Sequence, residues 1–144
     1  MRARDVMSSC PVVVGPDDPI SLCATRMRDH RIGFVPVLSE GVLVGVITDR
    51  DLVVRALASG LPVTTKASEI MTRSVVSCRP DDELSALEPK WAEAQCFRVV
   101  VESEGRLVGI ISLADIGRVE EPARFGLLAR SVLVRDAALP PALR

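Results

Sequence analysis

An internal repeat is the feature that most limits how this chain can fold. When the sequence is shifted by 64 residues, positions 6–52 align with positions 70–116 without a gap, and sixteen of the 47 aligned pairs are identical. The identical pairs include the triplets Pro-Asp-Asp, Ser-Glu-Gly and Leu-Val-Gly, which begin at positions 16, 39 and 43 of the first stretch. The chain therefore contains two copies of one structural unit, here called copy one and copy two.

Each copy begins with a short strand followed by a helix. β-Branched residues predict the strand at 12–14 in copy one and at 75–77 in copy two. In the Pro-Asp-Asp turn that follows, Asp17 or Asp18 is expected to cap a helix that has Pro19 at its first position. We expect copy two to repeat this arrangement from its own Pro-Asp-Asp triplet.

Two apolar strands and a second helix complete the unit. The strands are predicted at 34–38 and 42–47, and the Ser-Glu-Gly turn between them needs a glycine with positive φ at Gly41. The second helix is expected to begin near Thr48 and to end near Ser59. The order of elements is therefore β-α-β-β-α in each copy.

One copy is too small to bury a core alone, because it has fewer than about 60 residues. The repeat therefore predicts an α/β (α+β) fold in which two pseudo-twofold-related β-α-β-β-α repeats pack sheet to sheet and leave two equivalent clefts. The predicted segments are repeat 1 at 1–60, a linker at 61–67, repeat 2 at 68–118 and a C-terminal tail at 119–144.

Two features fall outside the repeat pattern. Pro89 lies within the first helix of copy two, where it removes a backbone hydrogen bond, and it predicts a kink or interruption. In the tail, a short helix is expected to begin near Pro122 with Phe125, Leu128 and Val132 on one face.

Composition and charge argue against several classes of function. A net charge of -1 and an aromatic content of 3% do not favour nucleic acid or an anionic membrane as partner. No apolar run approaches the ~20 residues of a membrane span, and the first eleven residues lack the apolar stretch of a signal peptide. We therefore expect a cytoplasmic protein.

The sequence offers no catalytic or metal-binding constellation. Its only histidine, His30, lies in a charged stretch without a nucleophile or orienting group nearby, and no phosphate-binding glycine loop is present. Metal ligands would need short paired spacings, which the cysteines do not have. They are widely scattered and are expected to be small buried apolar residues: Cys10, Cys23, Cys78 and Cys96. We expect no enzyme activity, no catalytic cofactor and no bound metal.

The junction between the last strand and the second helix carries a polar motif in both copies. A hydroxyl residue, Thr48 or Ser112, is followed three positions later by a carboxylate, Asp51 or Asp115. This spacing is typical of a capping box, in which each residue bonds the backbone amide of the other. The same helix start offers N–H groups to a phosphate, and a carboxylate there can accept hydrogen bonds from ribose. Both interpretations stay open, and they are compatible.

These strings resemble cystathionine-β-synthase (CBS) domains. The resemblance rests on Gly-Val-Ile-Thr-Asp-Arg-Asp-Leu at 45–52, Phe-Val-Pro-Val at 34–37 and Asp-Val-Met at 5–7, and it spans both copies from about residue 4 to 118. Tandem pairs of this family, called Bateman modules, commonly bind adenosine-containing ligands in two clefts between the copies. The resemblance therefore implies an adenosine nucleotide or S-adenosylmethionine as ligand.

Carried over by position, the resemblance implies two sets of ligand-binding residues. In the first cleft, Thr48 and Asp51 would hold ribose and phosphate, Arg50 is either a phosphate contact or a solvated charge, and the remaining residues would enclose the base. The first set is Val12, Val13, Gly33, Phe34, Val35, Pro36, Thr48, Arg50 and Asp51. The second set is Val76, Ser77, Arg98, Val99, Ser112 and Asp115.

Copy two departs from the family pattern more than copy one does. Ala114 replaces Arg50, Leu113 replaces Asp49, and Val100 replaces the proline of the second strand. In copy one, Val13 stands where the family often has threonine. We therefore expect a ligand to bind the Thr48 and Asp51 cleft first. Arg98 is either a phosphate contact for one of the clefts or a surface residue.

Two hypotheses of function follow. The first is a stand-alone regulatory module that binds an adenosine-containing ligand and acts on a partner protein in trans. The second is a ligand-free dimeric module for protein interaction, whose clefts are filled by side chains. A homodimer is expected in both cases, because the apolar helix faces exceed what one small core needs.

Overall fold

The computed structural model describes residues 1–9 and 12–137, with side chains through residue 133; Cys10, Pro11 and the tail residues 138–144 lie outside the described residues. The chain is a mixed α/β protein, as predicted. Its elements, in chain order, are α1 (Ala3–Val6), α2 (Ile20–His30), β1 (Phe34–Ser39), β2 (Val42–Thr48), α3 (Asp49–Asp51) with a π-helical continuation (Leu52–Leu57), α4 (Ala67–Ile70), β3 (Ser77–Cys78), α5 (Leu84–Ala94), β4 (Arg98–Ser103), β5 (Arg106–Ser112), α6 (Leu113–Val119) and α7 (Pro122–Ala137).

The backbone forms two compact units that do not coincide with the two sequence copies. The first-copy unit comprises Cys10–Val75 and Glu104–Leu107, and the second-copy unit comprises Met1–Ser9, Val76–Ser103 and Val108–Arg144. The first nine residues thus pack with copy two, although the repeat places them in copy one.

Backbone hydrogen bonds show that the two copies exchange their leading segments reciprocally. The Ala3 N–H donates to the Asp82 carbonyl at 2.9 Å, and 64 positions later the Ala67 N–H donates to the Asp18 carbonyl at 2.8 Å. The buried alanines are the first residues of α1 and α4, so each short helix closes the unit of the other copy. Sequence periodicity does not reveal such an exchange, because both segments look alike.

Each unit has its own apolar core between helices and strands. In the first-copy unit, β1 and β2 are antiparallel with Phe34 opposite Thr48, and Val35 and Val37 point into the core. In the second-copy unit, β4 lies between β3 and β5, and Val99 and Val101 point into the core. Since side chains alternate along a strand, one face of β1 and of β4 packs against helices in each unit.

Glycines in the last strand of each copy permit a close approach by the exchanged segments. A Cβ at Gly45 would lie 2.7 Å from Met71 Sδ and 3.0 Å from the Thr72 carbonyl oxygen. A Cβ at Gly109 would lie 2.7 Å from Met7 Sδ and equally close to backbone. The repeated Leu-Val-Gly triplet therefore reflects packing.

The predicted caps of the first helices are wrong. The Asp18 carboxylate accepts a hydrogen bond from the Gly15 N–H at 2.7 Å, and Pro19 occupies the N-cap position without a side-chain cap bond. The Asp82 carboxylate does the same for the Arg79 N–H at 2.9 Å. Each aspartate therefore closes the turn before its helix and does not cap the helix.

The first strand of each copy is shorter than predicted. In copy one, only Val14 pairs, as a parallel bridge to Val37. In copy two, β3 covers Ser77–Cys78 rather than 75–77. The pairing partner in each case is the middle of the next strand, which limits the contact to one or two residues.

Of the two outcomes expected at Pro89, a kink or an interruption, the interruption does not occur. α5 runs through Pro89 as a single element, and Leu87 and Trp91 on either side are buried in the core. The Trp91 Nε1–H donates to the Cys96 carbonyl at 2.6 Å, so this side chain is part of the core. Buried anchors on both sides hold the helix together where one backbone bond is missing.

Two other predictions agree with the structure. The turn between the paired strands has positive φ at Glu40 (51°) and Gly41 (81°), which is the conformation of a tight hairpin. A helix, α7, begins at Pro122, and its residues Leu128 and Val132 are buried in the core of the second-copy unit. The π-helical turn at Leu52–Leu57 was not expected, because it leaves no signal in apolar spacing.

Candidate ligand-binding site

A complete capping box lies at the end of β2 in the first-copy unit. The Thr48 N–H donates to Asp51 Oδ2 at 2.9 Å, and the Asp51 N–H donates to Thr48 Oγ1 at 3.1 Å. Both residues are partly buried, and together they fix the start of α3. The structural interpretation of this motif therefore holds, and a ligand must use whatever the box leaves free.

The second oxygen of Asp51 is only loosely held. Arg55 Nε lies 3.5 Å from Asp51 Oδ1, while Arg55 Nη1 donates to the Ile70 carbonyl at 2.9 Å. Because Arg55 is anchored mainly by this carbonyl, Asp51 Oδ1 retains the capacity to accept further hydrogen bonds. The side chain of Asp51 is 13% exposed, so this oxygen lies at the edge of the protein interior.

Gly33 leaves room for a second carboxylate beside the box. The Asp49 N–H donates to the Gly33 carbonyl at 3.1 Å, and a Cβ at Gly33 would lie 2.5 Å from Asp49 Oδ2. Arg50 follows with an exposed side chain. The Asp49 carboxylate thus lies against Gly33, and the helix start carries a cation that points away from the core.

The other predicted residues of the first site lie beside this helix start. The Val14 N–H donates to the Pro36 carbonyl at 3.0 Å, which places the half-buried Val12 and Val13 next to β1. Phe34 and Pro36 are buried outside the core cluster. Val35 belongs to the core, so only its backbone could contact a ligand. We call this group, with Thr48 and Asp51, the first-copy site.

The equivalent box in the second-copy unit is more fully engaged. The Ser112 N–H donates to Asp115 Oδ2 at 2.8 Å, and Arg118 Nη1 donates to Asp115 Oδ1 at 2.7 Å. Partial burial by itself raises the pKa of Asp115, but the bonds from Ser112 and Arg118 outweigh it and hold the pKa below its usual value. Both oxygens of this carboxylate thus have short contacts within the chain.

The remaining predicted residues of this second site lie along β4. The Leu113 N–H donates to the Phe97 carbonyl at 2.9 Å, which places Ser112 beside Arg98. The Val100 N–H donates to the Val76 carbonyl at 3.0 Å, and Ser77 pairs with Val100. Val99 points into the core. We call Ser112, Asp115 and the face of β4 opposite Val99 the second-copy site.

The sequence interpretation missed three polar residues near these boxes. Arg55 and Arg118 follow the aspartates by four and three residues, a spacing that brings side chains together on a helix. Glu102 accepts a hydrogen bond from the Ser77 hydroxyl at 2.5 Å. The repeat alignment places Glu102 over Leu38. This replacement of an apolar residue by a charged one was the sequence feature that could have drawn attention to Glu102.

Comparison with protein families identifies the repeat. The family model described as "CBS domain" matches the chain twice, over residues 3–57 and 67–120. The chain belongs to the CBS domain family. The resemblance seen in the sequence motifs is confirmed, and the two matches correspond to the two copies.

Relatives of this CBS pair share most of its length. Hypoxic response protein 1 of Mycobacterium tuberculosis is 38% identical over 118 residues, which cover 81% of this chain and 82% of the relative. A crystal structure of Hypoxic Response Protein I with two coordinated zinc ions has 35% identity and a TM-score of 0.77, covering 84% of this chain and 100% of that one.

A third similar protein has been solved with ligands. The CBS domain pair of protein MJ0100, in complex with 5′-methylthioadenosine and S-adenosyl-L-methionine, has 29% identity and a TM-score of 0.75. The alignment covers 83% of this chain and 94% of that one. CBS pairs with this fold thus include one that binds adenosine compounds.

Two properties of this CBS pair, within the described residues, concern metals and membranes. Among the side chains of residues 1–9 and 12–133, no three of His, Cys, Asp or Glu are grouped so that they could hold a metal ion. None of the helices in this part of the chain has both the length and the apolar character needed to cross a membrane.

Proposed function

We propose that this CBS pair is a regulatory module that binds an adenosine-containing ligand, with the first-copy site occupied first, and that it acts on a partner protein in trans. The observation that carries the proposal is the Thr48–Asp51 box, in which one carboxylate oxygen closes the cap and the other has only a 3.5 Å contact with Arg55. A ribose needs such an acceptor for its hydroxyl groups.

Three differences favour the first-copy site over the second. Asp115 Oδ1 is bound by Arg118 at 2.7 Å, a shorter contact than that of Asp51 with Arg55. The exposed Arg50 can contact a phosphate, whereas Ala114 cannot.

The third difference is a backbone carbonyl. In the second-copy unit the Val76 carbonyl accepts a bond from the Val100 N–H, but at the equivalent position Pro36 has no N–H to offer Val12. The Val12 carbonyl can therefore accept a hydrogen bond from a base beside it.

The relative with bound adenosine compounds supports the class of ligand. Protein MJ0100 shares the fold at a TM-score of 0.75 and holds 5′-methylthioadenosine and S-adenosyl-L-methionine in its CBS pair. We extend this class to the present chain, with AMP, ADP and ATP as further candidates because of Arg50. The role we propose is binding rather than catalysis.

A thermal-shift screen tests the proposal directly. A ligand that binds only the folded state at a concentration of 100 Kd stabilises it by ~2.7 kcal/mol, which corresponds to a rise in Tm of about 5–10 °C. AMP, ADP, ATP and S-adenosylmethionine are the probes, and the matched control is the double variant Asp51→Asn, Asp115→Asn. A wild-type chain that no adenosine compound stabilises would favour the ligand-free interaction module, because the carboxylates would then serve the helix starts alone.

We further propose a homodimer formed through the first-copy unit. Its apolar side chains after the capping box are between 39% and 74% exposed: Val53, Val54, Leu57, Leu61 and Val63. Such a cluster is typical of an interaction surface, and closed twofold symmetry is the usual solution. Light scattering should give about twice the chain mass of 15.5 kDa for the wild type and 15.5 kDa for Leu57→Lys. A wild-type mass of one chain at micromolar concentration contradicts the dimer.

A further inference from the structure

Arg55 joins the first-copy site to the end of α4. Its Nε lies 3.5 Å from Asp51 Oδ1, and its Nη1 donates to the Ile70 carbonyl at 2.9 Å. Ile70 is the last residue of α4, and the last carbonyls of a helix, which have no partner within it, commonly accept bonds from arginine. One guanidinium is therefore shared between a carbonyl that belongs to the fold and the carboxylate oxygen that we propose as a ligand contact.

The position of the Asp51 carboxylate does not depend on Arg55. Its other oxygen, Oδ2, accepts a hydrogen bond from the Thr48 N–H at 2.9 Å, and the Asp51 N–H donates to Thr48 Oγ1 at 3.1 Å. The side chain of Arg55 is 47% exposed, and ion pairs with such exposed partners are weak. Removing the guanidinium should therefore leave Oδ1 where it is, with one partner fewer.

The second-copy unit has a different arrangement of arginine and carboxylate. Arg118 Nη1 lies 2.7 Å from Asp115 Oδ1, and within the described part of the chain Asp115 is the only residue that Arg118 bonds. The repeat aligns Arg55 with Val119, so the two arginines do not occupy equivalent positions. Copy one alone has a cation that contacts its box while a backbone carbonyl also holds it.

We propose that Arg55 is an intramolecular competitor for Asp51 Oδ1, which a ligand hydroxyl must displace, and that its bond to the Ile70 carbonyl keeps it from closing the first-copy site. A hydroxyl donates more strongly to a full carboxylate charge than to one already paired with a guanidinium. The inference rests on the proposed function and adds a regulation of the same site, because the end of α4 sets how readily Asp51 accepts a ligand. Arg55 acts on the ligand only through Asp51.

Calorimetric titration with adenosine tests this role, because adenosine has the ribose hydroxyls and carries no charge that could pair with Arg55. The variants are Arg55→Gln, which keeps an N–H donor without the charge, and Arg55→Met, which removes both. Since an exposed ion pair contributes little, each variant should bind adenosine about two- to fivefold more tightly than the wild type. With Asp51→Asn as the parent, Arg55→Gln should leave the affinity unchanged, because the competition needs the charge of Asp51.

Salt gives a second readout, which a purely structural role of Arg55 would not move. Dissolved ions screen the contact between Arg55 and Asp51, so the wild type should bind adenosine more tightly at about 500 mM salt than at about 50 mM. Arg55→Gln should show no such gain. The matched control is Arg73→Met: among the described residues, the Arg73 side chain bonds only the Ser68 carbonyl of the same helix α4, at 3.4 Å. This variant should behave like the wild type in both measurements.

Thermal unfolding of each variant without ligand verifies that the fold is intact, and Arg55→Gln keeps the test valid if Arg55→Met unfolds. Adenosine affinity that is unchanged or weaker in Arg55→Gln overturns the inference, and the proposed function stands if Asp51→Asn still weakens binding. The inference also fails if AMP or S-adenosylmethionine binds the wild type and adenosine does not, because the ribose hydroxyls then do not carry the binding. If no adenosine compound binds the wild type, the inference and the proposed function are both wrong.

Discussion

The two units of this CBS pair have the same backbone plan and the same capping box, yet they surround the box with different chemistry. In the first-copy unit Asp51 Oδ1 is held only by Arg55, at 3.5 Å, and Arg50 is exposed nearby. In the second-copy unit Asp115 is bonded to Arg118 at 2.7 Å, and Ala114 replaces the cation. The difference separates the bonds that fix the helix start in both units from the carboxylate oxygen that we propose as a ligand contact in the first-copy site.

The outer strand faces differ in the same way. Phe34 and Leu38 lie on the face of β1 that points away from the core, whereas Arg98 and Glu102 occupy the equivalent positions of β4. Between them, Pro36 and its equivalent Val100 are buried in both units. The core-facing valines are the same in both units. On these two strands, duplication therefore kept the core-facing valines and changed the residues at the ends of the opposite face.

The largest difference in stability is expected at the third turn of α2 and α5. Trp91 and Met27 occupy equivalent positions and are both buried, but Trp91 also donates to the Cys96 carbonyl. Trp91→Ala should lower the free energy of unfolding by ~3–5 kcal/mol, because it creates a large cavity and leaves that carbonyl unpaired. Urea unfolding followed by circular dichroism provides the measurement. A larger loss for Met27→Ala than for Trp91→Ala would contradict this ranking of the two cores.

The glycines at the exchanged segments should instead behave alike. Gly45→Ala and Gly109→Ala each place a Cβ within 3.0 Å of backbone and methionine atoms, so each should cost ~1–3 kcal/mol through overpacking. Urea unfolding of the two variants under the same conditions gives the comparison. Adding Met71→Ala to Gly45→Ala should recover only part of the loss, since the Thr72 carbonyl stays in place. If one of the two substitutions had no effect on stability, the segment that contacts that glycine would not pack as described.

Much of this fold was predictable because each element of the repeat occurs twice in the sequence. Positive φ at Gly41, the cap at Thr48 and the burial of Trp91 follow from turn chemistry, capping and apolar spacing. The exchange of leading segments was not predictable, because α1 and α4 have equivalent sequences and either unit could accept either helix.

The candidate sites were only partly predictable. The boxes themselves are local and were found from a three-residue spacing. Their remaining ionic partners, Arg55 and Arg118, belong to the following helical turn, and the Ser77–Glu102 bond joins residues 25 positions apart. Spacing within a motif does not report contacts that depend on strand pairing or on the direction of a long side chain.

A smaller effect should distinguish the second box by its dependence on pH. Because the folded-state pKa of Asp115 is held below its ordinary value, its ionised form stabilises the fold above about pH 4 and this contribution is lost as the pH falls through the lowered pKa. Asp115→Asn should therefore cost ~0.5–2 kcal/mol at pH 6 and less at pH 3. Urea unfolding at both pH values measures the difference in unfolding free energy between the wild type and the variant. A larger difference at pH 3 than at pH 6 would contradict the expected pH dependence.

The central claim is that the loosely held oxygen of Asp51, Oδ1, binds the ligand in the site that fills first. Asp51→Asn and Asp115→Asn are a matched pair, because asparagine keeps an acceptor for the Thr48 or Ser112 N–H and removes the charge. Calorimetric titration with the adenosine compound that most stabilises the wild type should show binding about ten- to a hundred-fold weaker for Asp51→Asn and little changed for Asp115→Asn. Equal losses in the two variants, or a larger loss for Asp115→Asn, would contradict the account.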